Sequence, residues 1–75
     1  MNKKIIKIAS EILNITLDEA EKNCKEISEI NAYYFWNPTR GGISIIINEL
    51  GEKLGATSGV SYEKHLQAFR DGKRN

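Results

Sequence analysis

His65, Cys24 and the Arg40-Gly41-Gly42 turn are the residues of this chain whose types could do chemistry. An imidazole can move a proton or hold a metal. Acid–base catalysis also needs a positioned partner and a group that stabilises developing charge, and the sequence names neither around Glu63-Lys64-His65. His65 therefore reads as a half-exposed helix residue. Cys24 has no Cys-x-x-Cys spacing and falls on an apolar stripe, where a thiol behaves as a small hydrophobe. Arg40 beside two glycines, and the small residues Thr57-Ser58-Gly59-Val60-Ser61 ahead of a helix, could offer cations or backbone amides to an anion. No Gly-Lys-Ser/Thr or G-x-G-x-x-G pattern accompanies them, so turn chemistry explains them, with Arg40 kept as a binding candidate. No catalytic, metal or cofactor set emerges.

Charge narrows the partners. Eleven basic and ten acidic residues leave a net charge of +1, so no global field draws the chain to nucleic acid or to an acidic membrane. The cations do cluster at the ends, as Lys3, Lys4, Lys7 and Arg70, Lys73, Arg74. If both ends lay on one side beside Tyr33 and Phe35, phosphate contacts and base stacking would suit single-stranded nucleic acid. That is the alternative reading of function. The apolar start is broken by Lys7, which suits neither a signal peptide nor a membrane span. One cysteine permits no internal disulfide and fits a reducing, cytoplasmic setting.

The elements that would position these residues follow from periodicity. Ile5, Ile8, Ala9, Ile12 and Leu13 recur at helical spacing over residues 3–13, with Lys3, Lys4, Lys7 and Glu11 opposite. Thr16-Leu17-Asp18-Glu19 is a capping box and predicts a second helix from Leu17. Its stripe would be Leu17, Ala20, Cys24, Ile27 and Ile30. A last helix should run from Tyr62 to Asp71, with Ser61 as its cap, Gly72 as its left-handed stop, and Tyr62, Leu66 and Phe69 toward the sheet.

Between the helices, β-branched and aromatic residues predict three strands at about 32–37, 42–48 and 52–58. The first holds four of the six aromatics. A four-residue loop at 48–51 puts Ile43, Ile45, Ile47, Leu54 and Ala56 on one face. A three-residue loop would set Ile45 and Ile47 beside Gly55 and Lys53 and mix the faces, so the longer loop is preferred. A four-residue loop at 38–41 then sets Trp36 by Ile43 and Tyr34 by Ile45, toward the core. Tyr33, Phe35 and Ile46 would share the other face. That face is either an exposed partner site or a second small core under a helix. A one-residue shift of the first hairpin would exchange the faces and make Trp36 with Tyr34 the candidate surface.

Residues 3–15 resemble the first helix of acyl carrier proteins, but the Asp-Ser-Leu attachment site of that family is missing and strands occupy the middle of the chain. The reading is a single α+β domain over residues 1–75: an N-terminal helical hairpin, a three-stranded antiparallel meander and a C-terminal helix, in the order ααβββα. A chain this short buries only about 60–65% of its unfolded surface. Its expected function is a non-enzymatic protein-interaction or regulatory module. It would bind a protein partner or self-associate as a homodimer through Tyr33, Phe35 and Ile46, with Arg40, Lys73 and Arg74 as further binding candidates.

Overall fold

The computed structural model describes residues 3–37, 43–57 and 59–74. Helix α1 spans Lys3–Leu13 and ends where Asn14 turns left-handed, at φ 57°. Asparagine tolerates that conformation better than most residues. Thr16 then caps α2 (Leu17–Lys22): its Oγ1 accepts from the Glu19 amide, and the Glu19 carboxylate accepts from the Thr16 amide, both at 3.0 Å.

This helix is shorter than its apolar spacing predicts. Asn23 ends it, its backbone and side-chain N–H groups both donating to the Glu19 carbonyl. Cys24–Ile27 is not helix but strand β1. A 3₁₀ turn at Ser28–Ile30 and a left-handed Asn31 lead into β2 (Ala32–Trp36), followed by β3 (Ile43–Asn48), β4 (Lys53–Thr57) and α3 (Tyr62–Arg70). The fold is α+β with a four-stranded antiparallel sheet, β1-β2-β3-β4, one strand more than expected.

Both later hairpins sit one residue from the preferred register. Ile45 faces Gly55, Ile46 faces Leu54, and Ile47 faces Lys53. This is the three-residue-loop alternative. Asn48 builds that loop: its Oδ1 accepts from the amides of Leu50 and Glu52, and Gly51 takes φ 87°. In the first hairpin Trp36 faces Ser44, Phe35 faces Ile45, and Tyr34 faces Ile46.

This register mixes apolar and polar residues on each face, and the fold accommodates the mixture because helices cover both faces. Against α1 and α2 lie Tyr33, Phe35, Ile45 and Ile47, packed with Ile5, Ile6, Ala9, Leu13 and Ala20. Against α3 lie Ile27, Ala32 and Ile46, packed with Phe69 and the partly buried Tyr34, Leu54, Tyr62 and Leu66. Each face needs its own apolar set, so alternation no longer marks an inside and an outside. The edges of the assigned core shift accordingly. Ile12, Leu17 and Ile43 are exposed, and Ile6 is buried in place of Ile12.

The C-terminus of α3 closes as a Schellman motif. The Gly72 amide donates to the Phe69 carbonyl and the Lys73 amide to the Ala68 carbonyl, with Gly72 at φ 93°. No helix among the described residues is long and apolar enough to cross a membrane.

Candidate functional site

The register decides which aromatics meet solvent. Tyr33 and Phe35 are buried beneath α1, and Ile46 is buried on the opposite face beneath α3. These three neither share a face nor form an open surface. The physical reason is parity: a one-residue shift sends alternate side chains to the other side. The Tyr33 hydroxyl points to the rim, 3.5 Å from Glu49. Burial, then the charges of Glu49 and Glu26, push its phenol above the ordinary tyrosine range.

On the α3 side, Tyr34 and Trp36 stand two residues apart along β2, both only half-buried. Their rings are tilted against each other with centroids 5.8 Å apart. The Tyr62 ring meets Tyr34 edge-on at 4.8 Å, and the His65 imidazole meets it edge-on at 5.8 Å. Lys25, exposed on β1 and paired with Tyr34 in register, holds its ammonium 4.6 Å from the Tyr62 ring centroid. Ser61 fixes the entry to α3 by accepting from the Lys64 amide, which sets where Tyr62 and His65 stand. The result is a row of interlocked, half-exposed rings with one cation at its rim.

His65 departs from expectation. It is 1% exposed rather than half-exposed, and it has two partners. Nε2 lies 2.6 Å from the Leu54 carbonyl, which can only accept, so Nε2 carries the proton; Nδ1, 3.3 Å from the Ser44 hydroxyl, is then the acceptor in the neutral ring. A serine hydroxyl on an imidazole has the parts of an activated nucleophile. Here, however, Ser44 is itself buried, and a main-chain carbonyl holds the far nitrogen. The pair ties β3, β4 and α3 together. Sequence spacing could not reveal it, because 21 residues separate its members.

The remaining candidates are dispersed. Arg40 and its glycines lie outside the described residues, as does Ser58. Lys73 is exposed. Arg74 is engaged by its own helix: Nη1 donates to the Phe69 carbonyl at 2.6 Å, the guanidinium stacks 3.7 Å over the Phe69 ring, and Nη2 approaches Glu52 at 3.6 Å. Arg70 approaches Glu29 at 3.8 Å. The sheet separates these cations from Lys3, Lys4 and Lys7, since α1 and α3 pack on opposite faces. Cys24 is half-buried, and burial followed by the charge of Glu26 pushes its thiol up to about 11.

Comparison with protein-family models, with curated proteins and with solved structures found no match.

Proposed function

We propose that this protein is a small non-enzymatic interaction module that binds a protein partner through Tyr34, Trp36 and Tyr62, with Lys25 at the rim. The observation that carries this reading is the interlocked row itself. Tyr and Trp supply large apolar area with a polar tip and dominate the energetics of protein interfaces. Rings held by one another have little freedom left to lose when a partner seats on them. Lys25 adds a rim charge that favours an acidic neighbour and influences the rate of encounter more than the final affinity. A cytoplasmic, reducing setting belongs to the same reading, because it keeps a lone thiol such as Cys24 unpaired.

The test is site-specific photo-cross-linking in the native cell, with the photoreactive residue at Lys25 or at Leu50, which is 85% exposed at the β3–β4 turn. The reading expects a discrete adduct from position 25 that disappears with Trp36→Ser and does not form from position 50. Equal adducts from both positions, no adduct from position 25, or an adduct indifferent to Trp36→Ser would overturn it.

A further inference from the structure

The hairpin of α1 and α2 carries a second surface, on the side of the molecule away from the aromatic row. A groove of about 320 Å³ runs between the helices, lined by Lys3, Ile6, Lys7, Leu17 and Glu21. Its α1 wall is cationic and its α2 wall ends in a carboxylate. Leu17 is 57% exposed and gives the groove an open apolar wall. Among the described residues, Lys3, Lys7 and Glu21 form no ion pair.

We infer that this groove is a self-complementary interface that pairs two copies of the chain. An isologous contact requires one patch to complement its own rotated image. Lys3, Ile6 and Lys7 form the α1 wall of the groove, and Leu17 and Glu21 form the α2 wall. A two-fold axis along the groove lays α1 of one copy over α2 of the other. The lysine wall of each copy then meets the Leu17 and Glu21 wall of the other, and each contact occurs twice. Opposite charges on the two walls of one groove select a second copy over a uniformly acidic or basic partner. The contact is small, so the dimer is expected to be weak and to loosen with salt.

Sedimentation of the full chain at concentrations approaching millimolar tests this inference with charge exchange. Lys3→Glu with Lys7→Glu puts acid at a helix N-terminus, and Glu21→Lys puts a base near a helix C-terminus, so both variants keep their helices. Each variant alone should associate about tenfold more weakly or worse, because every pair becomes like-charged. An equimolar mixture should recover the dimer, because every pair is again opposite in sign. A monomeric wild type, a dimer that survives in either variant, or a mixture that fails to recover would overturn the inference. Trp36→Ser should leave the dimer intact. If it dissociates the dimer, the aromatic row is the self-interface, which refutes this inference and leaves the proposed function standing.

Discussion

Phe35 and Trp36 are neighbours in sequence, yet their replacement should have very different consequences. Phe35 is fully buried, packed among the side chains of α1 and the strand residues Tyr33, Ile45 and Ile47. Truncation to alanine loses its transfer energy and leaves a cavity, together about 3–5 kcal/mol. A chain of this length has a total stability of about 4–11 kcal/mol, so Phe35→Ala should sit near the edge of folding. Trp36 is half-buried, and among the described residues its ring contact is the tilted one to Tyr34. Trp36→Ala removes that contact and a fraction of the apolar burial, about 1–2 kcal/mol. In urea denaturation followed by far-UV circular dichroism, Phe35→Ala should lose most of its folded baseline. Trp36→Ala should keep a full transition, with its thermal midpoint lowered by about 4–16 °C. A mild Phe35→Ala beside an unfolded Trp36→Ala would place the strands in the opposite parity and refute the assignment of faces.

Three further outcomes follow from single contacts. Thr16→Ala should cost about 1 kcal/mol by removing the cap of α2, and an unchanged melt would contradict the capping box. His65→Leu leaves the Ser44 hydroxyl and the Leu54 carbonyl unpaired beneath α3 and should cost about 2–4 kcal/mol. Adding Ser44→Ala should recover part of that loss, and strict additivity of the two changes would argue against their hydrogen bond. With its thiol raised from 9.0 to about 11, Cys24 should still be gaining alkylation rate above pH 9, where an ordinary thiol levels off. At pH 8 it should react up to about a hundredfold more slowly than in the urea-unfolded chain; equal rates would contradict its burial.

Much of the fold was legible where local chemistry acts alone. The Thr16 and Ser61 caps, the Asn14 interruption and the Gly72 stop are side-chain or φ requirements within a few residues, and each occurs as its residue type predicts. Strand β1 was hidden because Cys24, Ile27 and Ile30 continue a helical spacing from Leu17 and Ala20, and four residues are too few for alternation to compete. The register was hidden for a different reason. Ser44 and Lys53 look wrong on any face taken as core, but Ser44 is satisfied by His65 across the fold and Lys53 sits half-buried on the edge strand. The aromatic row depends on that register and on Tyr62 arriving from α3. Tyr34 and Trp36 were therefore visible as a pair, whereas the site they form with Tyr62 and Lys25 was not.

The measurement that bears most directly on the proposed role is the dissociation constant for the partner captured from position 25, determined by titration calorimetry with wild type and with Trp36→Ala. If the ring row is the binding surface, Trp36→Ala should weaken binding by about 2 kcal/mol or more, roughly thirtyfold, while Leu50→Ala stays at the wild-type value. A folded Trp36→Ala variant that binds as tightly as wild type would contradict it.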